Sequence, residues 1–249
     1  MPEITTAERP GLGLDGLPRP TEDRVVRLAN AVVLLDGATS PTPRVRDGGW
    51  HSRHLADELA ASGRLTGDLA DVLADAIDRL ARRHDLTPGD SPSSTVAITR
   101  WTDTAVDVLV LGDSPVVVFT DAGAEVVTDT RLRDLRGKVD RITDWRNREH
   151  GWWVAEADPA AALRAVRASW PRDRVRAVVM ATDGVSCGVD EYGLFADWKA
   201  VLDITSRKGP EAVLDEIRAA EVGDVDRTKW RRAKVHDDQA LAVIGFGGG

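Results

Sequence analysis

The chain has 249 residues, of which 42% are hydrophobic and 30% are charged, a balance typical of a globular protein with a full hydrophobic core. Its 33 Lys and Arg residues stand against 41 Asp and Glu residues, and the net charge of −8 argues against a nucleic-acid-binding surface. A single cysteine, Cys187, excludes an intramolecular disulfide and a cysteine-rich zinc site. The sequence has neither an apolar run of roughly 20 residues nor the pattern of a secretory signal, so we expect a cytoplasmic protein without a membrane partner.

The first part of the chain predicts an arm, a strand pair and two helices. Residues 1–18 are rich in Pro and Gly and show no periodicity, which is typical of a flexible arm. The apolar residues 24–35 predict two strands, or one strand with a turn near Ala29 and Asn30. Helices are predicted at residues 50–62 and 65–85, and the second places Leu69, Leu73 and Ile77 on one core-facing stripe.

The remainder of the chain predicts antiparallel hairpins followed by further helices. Short β-branched runs separated by turn residues predict strands at 94–101, 105–111, 115–120 and 124–128. After a polar, Arg-rich segment at 129–156, helices are predicted at 159–170, 194–207 and 210–220, strands at 174–181 and 239–246, and a flexible end at 247–249. Strands and helices do not alternate regularly, so the fold class predicted is α+β, with helix pairs covering antiparallel sheets.

An acidic residue stands at one end of each of four apolar strands. Asp36 follows AVVLL, Asp113 follows VLVLG, Asp183 follows AVVMAT, and Asp237 and Asp238 come just before ALAVI. One such aspartate alone is typical of a turn. Four together would converge at one sheet edge and would need cations to stay ionised. Oxygen ligands without His or Cys select Mg²⁺, Mn²⁺ or Ca²⁺.

Six short motifs in order resemble the metal-dependent Ser/Thr phosphatases of the PP2C family. They are TEDR at 21–24, LLDG at 34–37, SST at 93–95, LGDS at 111–114, ATDG at 181–184 and HDDQA at 236–240. The resemblance spans residues 19–246 and implies one PP2C-like domain, a four-layer α/β/β/α sandwich, with a flap at 129–156. It also implies a hydrolase in which metal-activated water attacks the phosphorus of a phosphoprotein substrate, so that no protein nucleophile is needed.

The resemblance assigns roles to individual residues. Asp36 would bridge two Mn²⁺ or Mg²⁺ ions, and Asp183 would be shared with a third, weaker ion. Arg19 would grip the substrate phosphate and so act in catalysis with these two aspartates. Either Asp237 or Asp238 would bind metal, and laying DDQA on the family's Asp-Asn-x-Thr pattern favours Asp237. The implied metal-binding residues are Glu22, Asp23, Asp36, Gly37, Asp113, Asp183, Asp237 and Asp238.

The sequence departs from the family pattern at two loops. Ala38 stands where some members have a histidine, the following residues 39–41 lack the usual glycines, and Pro115 follows the GDS motif where Arg is usual. These departures leave open the alternative of a non-catalytic PP2C-like binding module. In the segment 129–156, Arg131, Arg133, Arg136, Arg146 and Arg148 with Trp145, Trp152 and Trp153 could recognise an acidic phosphopeptide, or the Trp residues could dock a solvated loop to the core.

Overall fold

The computed structural model describes residues 1–13, 15–38 and 46–247, and contains two five-stranded antiparallel sheets. The first consists of β1 (Glu3–Arg9), β8 (Val116–Thr120), β9 (Gly123–Val127), β11 (Val175–Ala181) and β12 (Gln239–Gly245), in the order β1-β12-β11-β8-β9. The second consists of β2 (Arg24–Arg27), β3 (Ala31–Leu35), β6 (Val96–Trp101), β7 (Ala105–Leu111) and β10 (Val166–Pro171), in the order β10-β7-β6-β3-β2. A short pair, β4 (Gly37–Ala38) and β5 (Ser93–Ser94), lies beside them.

The sheets pack face to face over a common apolar layer. Leu34 and Val110 from one sheet and Met180 and Ile244 from the other are buried in it. Because the other face of each sheet is covered by helices, the central strands are apolar on both faces, and β3 is fully buried along its length. This double burial explains the unbroken apolar runs of the sequence.

Helices cover the outer face of each sheet. On the second sheet lie α1 (Gly48–Ala60) and α2 (Leu69–His84), and on the first lie α4 (Asp183–Asp190), α5 (Trp198–Lys208) and α6 (Glu211–Val222). A short helix, α3 (Arg131–Leu135), lies in the segment 129–156. The predicted α/β/β/α sandwich is therefore confirmed. In the described part of the chain, no helix combines the length and apolar character needed to cross a bilayer.

The predicted arm at residues 1–18 is wrong for Glu3–Arg9. These residues form the edge strand β1, which pairs with β12 from Glu3 opposite Gly245 to Arg9 opposite Gln239. Most of its side chains remain at least partly exposed, so the strand carries no apolar alternation that a sequence could reveal. The strand conformation of β1 comes from its pairing with β12, which lies more than 200 residues away in the sequence.

The helix predicted at 159–170 is also wrong. Pro159–Arg164 is a short 3-10 helix capped by Asp158, and the chain then enters β10. Backbone pairing with β7 overrides the local helix propensity of the alanines there. The helix α4 lies between the predicted strand at 174–181 and the predicted helix at 194–207, where no element was predicted. Residues 39–41 of the altered loop and part of the flexible end predicted at 247–249 fall outside the described residues.

Candidate active site

The acidic residues at the strand ends come together in space. Asp36 follows β3, Asp183 opens α4 directly after β11, and Asp237 precedes β12. Asp36 and Asp183 lie close enough for the charge of Asp183 to act on Asp36, and Asp237 and Asp113 lie close enough to Asp183 for their charges to act on it. The sequence-predicted convergence of four strand ends is present in the structure.

The SST and GDS motifs hold the strand ends that carry Asp36 and Asp113. The Thr95 hydroxyl accepts a hydrogen bond from the Asp36 backbone N–H (3.2 Å) and pairs with the Ser114 hydroxyl (2.7 Å). The Thr95 N–H donates to the Asp36 carbonyl (2.8 Å). Gly112 turns the chain at φ +91°, and a Cβ there would lie 2.8 Å from the Thr95 methyl group. The close packing of the LLDG, SST and LGDS motifs therefore requires the glycine at position 112.

The TED, TDG and DDQA motifs form a second connected group. The Thr182 hydroxyl donates to the buried Asp23 carboxylate (2.8 Å) and accepts from the Ala240 N–H (3.0 Å). A Cβ at Gly184 would lie 1.9 Å from the Asp238 carbonyl oxygen, so the turn after β11 packs directly on the strand entry that carries the DDQA motif. These contacts fix Asp183 next to Asp237.

Asp237 and Asp238 have different surroundings. Asp238 is 4% exposed, and its two carboxylate oxygens accept the backbone N–H groups of Gly11 (2.7 Å) and Glu22 (3.3 Å). Asp237 lines an open cleft instead. Both oxygens of Asp238 are thus used in connecting three segments of backbone, whereas in Asp237 the hydrogen bonds from Lys234 and from the Asp238 N–H both go to Oδ1.

A cleft of about 810 Å³ opens beside the cluster. Its lining includes Asp113, Asp183 and Asp237, together with Arg133 and Arg136 from the segment 129–156. The Arg136 guanidinium lies 3.7 Å from the Asp113 carboxylate. The cleft therefore joins three of the predicted ligands to two arginines of the predicted flap.

Burial and mutual repulsion make the cluster unfavourable for negative charge. Burial, together with the charges of Asp237 and Asp113, raises the pKa of Asp183 to about 7. Burial and the charge of Asp183 likewise raise the pKa values of Asp36 and Asp23 well above their usual range. A buried group of carboxylates in this state needs protons or cations to be stable.

One cation of the protein lies within the cluster. The Lys234 ammonium is 2.6 Å from Oδ1 of Asp237 and 3.7 Å from Oε2 of Glu22. Its charge lowers the pKa values of Asp36 and Asp183, although burial and repulsion outweigh it. The Lys234 pKa is itself raised, because the attraction of Asp237, Asp36 and Glu22 exceeds the effect of burial.

The chemistry of these side chains fits a hard divalent ion. All donors are oxygens, as Mg²⁺ and Mn²⁺ prefer, and a positive charge already stands among them. Across residues 1–13, 15–38 and 46–247, no three His, Cys, Asp or Glu side chains are spaced to hold an ion without moving. Binding would therefore require the carboxylates to draw together around the ion.

A family model described as "Protein phosphatase 2C" matches residues 20–218. The chain belongs to the protein phosphatase 2C family. This membership confirms the predicted activity, a metal-dependent phosphoprotein phosphatase, and no finding favours the non-catalytic alternative. The match ends before Lys234 and Asp237, so the last part of the PP2C site rests on the geometry described above.

Solved structures of similar fold are bacterial phosphatases. The Mycobacterium tuberculosis serine/threonine phosphatase PstP/Ppp has 14% identity and a TM-score of 0.64, with 98% of each chain covered. Stp1 from Staphylococcus aureus has 14% identity and a TM-score of 0.60, covering 100% of this chain and 96% of its own. The PstP catalytic domain in complex with two manganese ions has 16% identity and a TM-score of 0.60, covering 98% and 97%. At these identities the likeness establishes the PP2C fold alone. A search of curated proteins found no matching sequence.

The segment 129–156 of this PP2C domain divides into structural and cleft-lining residues. Trp152 and Trp153 are each 8% exposed and pack into the protein. Arg131 forms two hydrogen bonds to the Asp129 carboxylate, and Arg146 is bound by Glu156 (3.3 Å). These Trp and Arg residues thus attach the segment to the rest of the protein, whereas Arg133 and Arg136 line the cleft.

Two further candidates, Arg19 and Cys187, differ in their relation to the cleft. Arg19 does not line it; one guanidinium nitrogen donates to the His236 carbonyl (3.3 Å), and its buried Nε has no partner among the described residues. Cys187 lines the cleft, but burial raises the pKa of its thiol far above the usual range, as expected of a packing residue.

Sequence reasoning missed three residues that organise the site. Thr95 and Thr182 were noted as motif letters, but their hydroxyl bonds to Ser114 and Asp23 depend on segments that are distant in sequence. Lys234 carried no motif. Its position three residues before Asp237 was the one available signal.

Proposed function

We propose that this protein removes phosphate from phosphoserine or phosphothreonine residues of proteins, using two Mn²⁺ or Mg²⁺ ions held by the carboxylate cluster. The observation that carries this proposal is the half-buried group of Asp36, Asp183 and Asp237, whose shared repulsion calls for cations. Bound divalent ions would supply an activated water for attack on phosphorus. Residues of this chain would hold the ions, orient the substrate phosphate and line the cleft.

Within the cluster, Asp36 is the proposed bridge between the two main ions, aided by the Gly37 carbonyl. Gly37 packs so tightly on the start of α1 that a Cβ would lie 2.5 Å from the Gly48 carbonyl carbon. Glycine is thus needed for the carbonyl to stay in place next to Asp36. Asp183 would hold one of these ions and, with Asp113, a third and weaker one.

Asp237 is the proposed ligand in the DDQA motif. It lines the cleft beside Asp183 and its charge acts on that carboxyl, whereas Asp238 has both oxygens engaged by backbone N–H groups. Asp238 then acts by fixing the backbone around Glu22, which with Asp23 forms the acidic pair expected to hold the ions through water or directly. Removing Asp238 would loosen the site without removing a direct ligand.

Arg19 is the proposed group for orienting the substrate phosphate. Its buried Nε–H without a partner among the described residues is a donor available to an anion. Ala38 has no side-chain proton donor, so solvent in the site would have to protonate the leaving group. We expect turnover to be modest for that reason.

The substrate class follows from the cleft. Arg133 and Arg136 line the same opening as the three carboxylate ligands, so a protein segment entering the cleft would meet both. Phosphopeptides with acidic neighbours are the substrates that these arginines would favour. A cytoplasmic location remains a prediction.

The test is hydrolysis of p-nitrophenyl phosphate and of a phosphothreonine peptide in Mn²⁺, Mg²⁺ and EDTA. The proposal predicts activity that depends on added metal and disappears in EDTA. Full activity in EDTA, or no activity on either substrate with any divalent ion, would contradict it.

A further inference from the structure

The ammonium group of Lys234 is held among the carboxylates and not in solvent. Its Nζ lies 2.6 Å from Oδ1 of Asp237 and 3.7 Å from Oε2 of Glu22, and the side chain is only 26% exposed. Both acids belong to the proposed ligand set. Lys234 therefore occupies part of the coordination capacity that a metal ion would use.

The fold builds this position for the lysine. The loop between α6 and β12 is anchored by Arg232, which binds the Asp224 carboxylate (2.7 Å) and the Asp224 carbonyl (2.6 Å). Oδ1 of Asp237 also accepts the backbone N–H of Asp238 (2.9 Å). Lys234 thus meets a carboxylate whose orientation is already set, unlike a pair of mobile surface side chains.

A divalent ion and this ammonium cannot share Asp237 without cost. The ion needs the carboxylate lone pairs that Lys234 now uses, and two cations a few ångströms apart repel each other. We propose that Lys234 is an internal competitor of the metal, which neutralises the carboxylates in the metal-free protein and weakens their affinity for divalent ions. This inference rests on the proposed function, because it takes the carboxylate cluster as the metal site.

Removal of a competitor has a different signature from removal of a structural lysine. If Lys234 only stabilised the fold, its removal would lower the stability of the protein equally with and without metal. The metal affinity would then be unchanged or weaker. For a competitor the two effects have opposite signs. The metal-free protein becomes less stable, because the carboxylates lose their counter-charge, and the ion binds more tightly.

The experiment is calorimetric titration of Mn²⁺ into the metal-free full chain. It compares wild type with Lys234→Gln, which removes the charge, and Lys234→Arg, which keeps it. Lys208→Gln, at the exposed end of α5, is the matched control. We expect the Kd of Lys234→Gln to fall about tenfold, equivalent to about 1.4 kcal/mol. Lys234→Arg and Lys208→Gln should resemble wild type, and the melting temperature of Lys234→Gln in EDTA should fall.

The outcomes separate this inference from the proposed function. If wild type binds Mn²⁺ and Lys234→Gln binds it with equal or lower affinity, Lys234 is not a competitor, while the phosphatase site stands. If neither protein binds Mn²⁺, the metal site itself is refuted, and this inference with it.

A measurement on the wild-type protein covers the case in which Lys234→Gln does not fold. The rate of Lys234 acetylation by an N-hydroxysuccinimide ester is followed by mass spectrometry in EDTA and in Mg²⁺, with Lys208 as the internal reference. Release from Asp237 should make Lys234 acetylate faster in Mg²⁺. An unchanged or slower rate would overturn the proposal.

Discussion

Replacing Asp183 with Asn should stabilise the metal-free protein at pH 8, although it removes a proposed catalytic ligand. In the metal-free fold, burial and the charges of Asp237 and Asp113 raise the Asp183 pKa from 3.8 to about 7. A carboxyl whose pKa is raised by folding destabilises the fold at pH values where it must ionise. The cost begins near the unfolded pKa, grows up to the folded pKa and is constant above it.

The size of this effect follows from the shift. A rise from 3.8 to about 7 corresponds to at most about 4 kcal/mol. The repulsion is shared with Asp36 and Asp237, which relax when one charge is removed, so we expect a gain of about 1–2 kcal/mol in the free energy of unfolding for Asp183→Asn. At pH 5 the Asp183 carboxyl is already protonated in the fold, and most of the difference from Asn should disappear.

The assay is urea denaturation in EDTA at pH 8 and pH 5, followed by the same measurement in Mn²⁺. Asp57→Asn, on the exposed face of α1, makes the same chemical change away from the cluster. In Mn²⁺ the order should reverse, because wild type gains about 2.7 kcal/mol at a metal concentration 100 times its Kd and the variant loses a ligand. A variant less stable than wild type in EDTA at pH 8, or a difference that is the same at both pH values, would refute the reasoning.

Further predictions concern the cleft and the turns around it. Replacing Arg133 and Arg136 with Ala should lower kcat/KM on an acidic phosphopeptide and leave p-nitrophenyl phosphate hydrolysis unchanged; equal losses would show a role in the fold or the site. Iodoacetamide should leave activity intact, since burial raises the pKa of the Cys187 thiol; inactivation would make Cys187 functional. Gly184→Ala should cost about 100-fold in activity with circular dichroism retained, because its Cβ would displace the turn carrying Asp183; wild-type rates would contradict the packing described.

The sequence predicted the elements whose signal is local. The strand pair at 24–35 and the amphipathic helix α2 were predicted close to their observed bounds, because burial on one or both faces leaves a periodic record in the residues. Strands β1 and β10 were missed for the opposite reason. Most of their side chains remain exposed or half-exposed, and their backbone order comes from pairing with distant β12 and β7.

The same division applies to the site. Asp36, Asp113 and Asp183 were predicted because each stands at the end of an apolar strand, and strand ends meet at sheet edges. The family pattern already favoured Asp237 over Asp238, and the two backbone N–H groups bound by the Asp238 carboxylate support the same choice on grounds that the sequence could not show. Lys234 could not be predicted for a similar reason, because a lone lysine in a polar loop has no pattern.

Mn²⁺-dependent hydrolysis of p-nitrophenyl phosphate by Asp36→Asn shows whether the carboxylate cluster is a metal-dependent phosphatase site. We expect a loss greater than about 100-fold, beyond the range typical of residues that only position a ligand. Asp113→Asn should lose far less, and Asp57→Asn should match wild type. If Asp36→Asn hydrolyses the ester at the wild-type rate while remaining folded, the cluster is not the active site.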